Sequence, residues 1–234
     1  MAPENSIAGY DPRLRSARHE ANAMTRPLHE SLLPATLPAE PFALIALWIE
    51  DGRRSGAYVN PDAICLATVG VDGTPHARMV LCRGLDVASG ALAFYTNRES
   101  LKGRDLDHCA EASAVFYWDH DARQAIVTGG VEHLSDADSN AYWATRPRLS
   151  QLAAWASEQS APIESRAVLL ERLAATTARF GAESDAPVPR PPHWGGYRIV
   201  ARRVELWSGS EGRMHDRAQW TRSARGWRVT RLQP

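Results

Sequence analysis

The stretch Ala63-Ile-Cys-Leu-Ala-Thr-Val69, Gly70-Val-Asp-Gly-Thr-Pro75, His76-Ala-Arg-Met-Val-Leu-Cys-Arg83 decides the fold class. Its two outer runs have strand length and are rich in apolar and β-branched residues. Val71-Asp72-Gly73-Thr74 between them is a turn signal. The pattern then recurs. Residues 91–96, 112–118 and 124–134 read as strands, with Ala88-Ser89-Gly90 as a further turn, and 196–232 returns to strands at the end of the chain. Several short strands with tight connections predict an antiparallel barrel or sandwich, so the chain reads as mainly β with helices.

The helices are punctuated just as clearly. Phe42, Leu44, Ile45, Leu47, Trp48 and Ile49 fall at helical spacing within 40–55, with Pro41 at an early position. Residues 97–108 predict a short helix capped by Ser100, with Lys102 and Arg104 in its first turns. Ser135-Asp-Ala-Asp138 opens a helical segment over 135–156 that Pro147 divides in two. Val168, Leu169, Leu173 and Phe180 form the apolar stripe of a helix over 163–180 that Gly181 stops. Residues 187–192 predict an extended, proline-rich connector. Residues 1–38 are polar, with prolines at 3, 12, 27, 34 and 38. They predict a flexible or surface-draped N-terminal arm on a single domain over 39–234.

Composition narrows the function. The chain has 234 residues, 44% of them hydrophobic, and a formal net charge of zero. That balance implies no general attraction to nucleic acid or to an anionic membrane, so any anion site must be local. No apolar run approaches the roughly 18 residues of a membrane span. Residues 1–30 lack the apolar core of a secretion signal, and the expected compartment is the cytoplasm. Cys65, Cys82 and Cys109 are scattered, which indicates neither a disulfide framework nor a metal site.

The chemistry-bearing residues stand in separate groups. Val204-Glu-Leu-Trp-Ser-Gly-Ser-Glu-Gly-Arg-Met-His-Asp-Arg217 reads as a strand, a turn at Gly209–Gly212, and a second strand. Alternation places Arg213, His215 and Arg217 on one face of that second strand. Such a face suits an anion or an electron-rich ring, and fits a solvated basic edge strand equally well. Ser100-x-Lys102 at a helix start offers backbone N–H groups, the helix dipole and an ammonium, which together make a phosphate seat. Gln124 opens an apolar strand, where its amide either meets the edge of a heteroaromatic ring or faces solvent. Tyr142, Arg146 and Ser150 stand four residues apart, and a bend at Pro147 would fold their shared face into a pocket suited to a phosphate monoester.

In order along the chain, the motifs are Arg78–Arg83, Phe94-Tyr-Thr-Asn97, Ser100-x-Lys-Gly103, Arg123-Gln124, Tyr142-x3-Arg146-Pro-x2-Ser150-Gln, Ala154-Trp-Ala-Ser157, Gln159-Ser160, Trp194-Gly-Gly-Tyr197, Trp207, Arg213-x-His-Asp-Arg217 and Arg231-Leu-Gln-Pro234. From about Ala63 to the last residue this ensemble resembles the pyridoxamine 5′-phosphate oxidase family. The resemblance implies an antiparallel split β-barrel, homodimeric, with FMN at the subunit interface. It implies FMN contacts from Arg78, Met79, Val80, Leu81, Tyr95, Thr96, Lys102, Gln124, Gln159, Ser160, Trp207 and Arg217. Arg83, Tyr142, Arg146 and Ser150 would hold the phosphate of a small phosphorylated aromatic substrate. Arg213 and His215 would lie over the substrate ring as the catalytic pair, with O2 as oxidant.

Three positions depart from the family pattern. Arg83 stands where lysine is usual, Leu101 where arginine is usual, and Ser208 where glutamine is usual. Leu101 removes a phosphate donor, which Arg98 or Arg104 is near enough in sequence to replace. The departures bear on the substrate more than on the cofactor. They leave open a sister oxidase of another reduced aromatic, such as a phenazine precursor, and a non-catalytic protein that binds flavin or pyridoxal phosphate.

Overall fold

The computed structural model describes residues 33–234. Most of the predicted N-terminal arm, residues 1–32, lies outside the described residues. The remainder of the arm is tied to the body: Leu33 is buried, Trp220 Nε1 donates to the Pro38 carbonyl at 2.9 Å, and Arg231 donates to that of Pro34 at 2.7 Å.

Helix α1 (Phe42–Ser55) opens with the Glu40 carboxylate accepting from the backbone N–H groups of Phe42 and Ala43. Of the predicted stripe it buries Phe42, Ile45, Trp48 and Ile49, while Leu44 is half-buried and Leu47 exposed, and it ends at Gly56 in the left-handed region (φ 67°). Strands β1 (Ala63–Val69), β2 (Pro75–Leu81), β3 (Gly84–Asp86) and β4 (Ala91–Asn97) lead into helix α2 (Leu101–His108). Then come β5 (Glu111–Trp118), β6 (Arg123–His133), and helices α3 (Asp136–Ala144), α4 (Arg148–Ala156) and α5 (Arg166–Phe180). The chain closes with β7 (Trp194–Ser208), β8 (Asp216–Ser223) and β9 (Gly226–Leu232). Pro147 separates α3 from α4 as its missing N–H requires.

All strand pairs are antiparallel, in the order β2-β1-β5-β6-β7-β4-β3, with β8 on β7 and β9 on β8. The 15-residue β7 carries the architecture. Along one edge it pairs with β6. Along the other its first half holds β4 and its second half holds β8. The sheet curls around one core in which Ile64, Leu66, Phe94, Phe116, Val127, Ile199, Leu206 and Trp220 meet the buried face of α1. A smaller cluster of Trp143, Leu152, Val188 and Trp194 joins α3, α4 and the start of β7. Strand β2 differs from the others. None of its residues is buried, and Met79 is 64% exposed, so this edge of the subunit is uncovered.

One expectation is corrected, and two features went unread. The short β3 stands where no strand was expected, pairing with β4 through Leu85↔Leu92. Helix α5 buries none of its residues, and its apolar stripe lies only partly covered beside α4 rather than in the core. The alternating strand expected for Arg213, His215 and Arg217 is interrupted. Glu211–Arg213 forms a 3-10 turn, and Gly212 (φ 62°) and Arg213 (φ 61°) both take the left-handed conformation. Strand β8 starts only at Asp216, so of the three only Arg217 lies within it.

Candidate active site

A cavity of about 640 Å³ opens between β2 and β4, with α2, α3 and the segment after α4 completing its wall. Arg78, Met79, Val80, Leu81, Arg83, Tyr95, Thr96, Lys102, Tyr142, Arg146, Gln159 and Ser160 all line it, as do His76 and Leu101. Residues from distant parts of the sequence meet here because the sheet's curl brings β2 opposite β4.

One end of the cavity is built on the N-terminus of α2. The Ser100 hydroxyl caps the helix, accepting from Gly103 N and donating to the Asn97 carbonyl at 2.7 Å. Lys102 is 7% exposed, and its Nζ donates to Thr96 Oγ1 (3.1 Å), Ser100 Oγ (3.0 Å) and Gln159 Oε1 (2.8 Å). All three acceptors are neutral. Burial first, then the nearby Arg78, pulls the Lys102 ammonium down to about 8. Arg78 donates to Thr68 Oγ1 at 2.6 Å and pairs with Asp105 at 3.5 Å. Gly103 is required by a close approach, since a Cβ there would lie 1.8 Å from the Arg98 carbonyl oxygen. Ser160 takes the left-handed conformation (φ 74°), which costs a non-glycine residue on the order of 1–3 kcal/mol and turns the 159–160 pair into the cavity.

The other end is lined by Arg83, Tyr142 and Arg146. Tyr142 stacks on Tyr95 with ring centroids 4.0 Å apart. The Arg146 guanidinium lies 4.9 Å from the Trp194 ring centre and 5.6 Å from that of Trp143, and donates to the Ser150 carbonyl at 3.3 Å. Its Nε is buried without a hydrogen-bond partner. Burial holds Arg146 below the usual arginine value, with Tyr142 opposing and Arg83 adding to the shift. Arg83 is tied to the buried Asp62 at 2.9 Å. Ser150 does not line the cavity; its backbone carbonyl braces Arg146.

A second group lies outside the cavity. Gln124 pairs with Trp207, and Trp207 with Arg217, across β6, β7 and β8. The Trp207 and His215 rings lie 4.8 Å apart, and the His215 Nδ1 accepts from Ser210 N at 3.2 Å. Arg217 grips Glu205 through Nε and Nη2 at 3.0 and 2.7 Å. Arg213 sits on the adjoining 3-10 turn. Within one chain, these residues lie apart from the cavity lining.

The expected replacement for Leu101 is not seen. Arg104 donates to the Glu99 carbonyl and the Arg98 guanidinium lies against Gly195, where a Cβ would come within 2.4 Å of it; neither lines the cavity. Sequence reasoning also missed His76, Asp105 and Asp62. His76 alternates with Arg78 on β2 and Asp105 stands one helical turn after Lys102, so a signal existed for those two.

The cavity has the size of a small-molecule site and holds two cations at one end, Lys102 buried and Arg78 partly buried, with Asp105 paired to Arg78. That surplus of positive charge, and a buried ammonium with only neutral acceptors, fits a phosphate-bearing aromatic cofactor. Residues 57–180 match the model of the pyridoxamine 5′-phosphate oxidase family, and 194–234 match that of the pyridoxine 5′-phosphate oxidase C-terminal dimerisation region. The chain belongs to the pyridoxamine 5′-phosphate oxidase family.

Members of this family are FMN-dependent oxidases, and FMN is the cofactor that the cavity fits. The pyridoxine/pyridoxamine 5′-phosphate oxidase of Azorhizobium caulinodans is 47% identical over 201 residues, covering 85% of this chain and 92% of that one. The oxidase of the same name from Burkholderia thailandensis is 43% identical over 217 residues, covering 92% and 98%. Among solved structures, PhzG from Burkholderia lata, in complex with tetrahydrophenazine-1-carboxylic acid, superposes with a TM-score of 0.77 at 29% identity, covering 84% of this chain and 94% of that one. A pyridoxamine 5′-phosphate oxidase-related, FMN-binding protein from Nostoc punctiforme shares the fold, with a TM-score of 0.67 at 17% identity over 86% of this chain and all of that one (100%). The split barrel expected for the pyridoxamine 5′-phosphate oxidase family is therefore the observed architecture.

Proposed function

We propose that this protein oxidises pyridoxamine or pyridoxine 5′-phosphate to pyridoxal 5′-phosphate, with O2 as electron acceptor and H2O2 as product. The observation that carries this reading is the presence of two cationic seats at opposite ends of one cavity, Arg78 with Lys102 and Arg83 with Arg146. A cofactor and a substrate that each carry a phosphate require two such seats.

Lys102 and Arg78 hold the FMN phosphate, with the α2 N-terminus behind them. Tyr95, Thr96, Gln159, Ser160 and the Met79–Leu81 wall enclose the rest of the cofactor. FMN, when bound, supplies the two-electron chemistry between the substrate's C4′ carbon and O2. Arg146, held over the Trp194 and Trp143 rings, meets the substrate phosphate together with Arg83 and Tyr142, and so fixes the substrate's orientation. In a homodimer the group formed by Gln124, Trp207, Arg213, His215 and Arg217 closes the cavity of the other subunit. The uncovered β2 edge and the match of 194–234 to a dimerisation region support that arrangement. Arg213 and His215 then lie over the substrate ring and stabilise charge that develops during oxidation. No helix among the described residues is long and apolar enough to cross a membrane, and we place the enzyme in the cytoplasm.

Arg146→Ala tests the reading. Charge-assisted hydrogen bonds are worth about 1.5–3 kcal/mol each. The variant should therefore bind pyridoxamine 5′-phosphate roughly tenfold to a few hundredfold more weakly. Its FMN affinity should stay within twofold or so of wild type, because the other seat is untouched. Efficient oxidation of an unphosphorylated aromatic, unchanged in the variant, would instead identify a sister oxidase.

A further inference from the structure

Beside the Arg78–Lys102 seat lies a polar group that the proposed mechanism leaves unused. Asp105 is buried, and a single oxygen, Oδ2, takes three partners: Thr68 Oγ1 at 2.6 Å, His76 Nδ1 at 3.0 Å and Arg78 Nη2 at 3.5 Å. Thr68 in turn accepts from Arg78 at 2.6 Å, closing a ring of contacts around the guanidinium. The His76 ring lines the cavity while bonded to this carboxylate. It packs close to Gly70, where an added Cβ would lie 2.9 Å from the ring and push it aside. Every element around the ring contributes: Thr68 from β1, Asp72 from the turn, Arg78 from its own strand, and Asp105, with Lys102 one turn earlier, from α2.

We propose that His76 and Asp105 are positioning residues for the cofactor phosphate: their contact sets Arg78 against it. This rests on the reading that Arg78 and Lys102 seat the FMN phosphate. Asp105 Oδ2 and Thr68 Oγ1 both hold the Arg78 guanidinium, and His76 Nδ1 holds that same carboxylate oxygen, so the cation is fixed in place before an anion enters the cavity.

The test is the dissociation constant of FMN, and of riboflavin, from the apoprotein, read from flavin fluorescence. Asp105→Asn and His76→Gln should each weaken FMN binding about three- to tenfold, the worth of a hydrogen bond that holds Arg78 in place. Riboflavin, which lacks the phosphate, should bind wild type and both variants equally. Unchanged FMN affinity in both variants, or the same loss with riboflavin, overturns the proposal. Arg78→Ala separates the two readings. If it leaves FMN binding intact, the seat itself is misassigned. If it weakens FMN while Asp105→Asn and His76→Gln do not, only the present inference fails.

Discussion

Asp62 and Lys102 show how single residues tune the two ends of the cavity. Asp62 is buried and holds Arg83 at 2.9 Å, so part of the Arg83 charge is answered before any substrate arrives. Asp62→Asn should release that charge toward a bound phosphate and tighten binding of pyridoxamine 5′-phosphate by about two- to fivefold, the range of a partly exposed ion pair. Isothermal titration would show it, and weaker binding would mean that Asp62 matters for orienting Arg83 instead. Lys102 makes a prediction in pH. Its folded value of about 8 lies below the roughly 10.4 of an unfolded chain. The buried charge therefore costs the apoprotein stability below pH 8, and that cost is relieved as pH rises above it. A bound phosphate favours the charged form, so FMN should raise the melting temperature more at pH 7 than at pH 9.5. An equal rise at both would remove Lys102 from the seat.

At the scale of elements, α2 is where sequence and site coincide. The Ser100 cap, Lys102 and Gly103 were legible because capping and helix-terminus chemistry are local. Gly103→Ala should force a Cβ against the Arg98 carbonyl, costing about 1–3 kcal/mol of stability by overpacking. It should also displace Lys102, so a thermal melt and an FMN titration should move together. Strands β1, β4, β5 and β6 were legible for the same reason, since alternation and turn residues lie within a few positions of one another. The features that escaped were set by tertiary approach. The 3-10 turn at Glu211–Arg213 depends on two successive left-handed residues, one of them Arg213, which alternation alone does not reveal. The partial cover of α5 comes from its place beside α4, although its stripe has the spacing of a core helix. The roles of Asp62, Asp105 and His76 depend on partners 21 and 29 residues away. Ser150 shows the limit of spacing as a guide: the step of four from Arg146 marked a true contact, made by its carbonyl instead of its hydroxyl.

At the scale of the whole molecule, the proposed dimer accounts for why the Trp207, His215 and Arg217 group lies apart from the cavity within one chain. Symmetry offers a direct check, because two half-sites on each subunit generate two complete sites in a twofold dimer. Subunits carrying Arg78→Ala with Lys102→Met and subunits carrying His215→Ala with Arg217→Ala should each be inactive alone. Mixed at random, they should regain about a quarter of wild-type activity through heterodimers with one intact site. No recovery in verified heterodimers would mean that each cavity is closed by its own chain. The reaction itself is tested most directly by incubating the purified, FMN-loaded protein with pyridoxamine 5′-phosphate in air, and measuring H2O2 and pyridoxal 5′-phosphate together. The account predicts that both appear in equal amounts, with unphosphorylated pyridoxamine a poor substrate. Absence of both products from a fully FMN-loaded sample that turns over an unphosphorylated aromatic would contradict it.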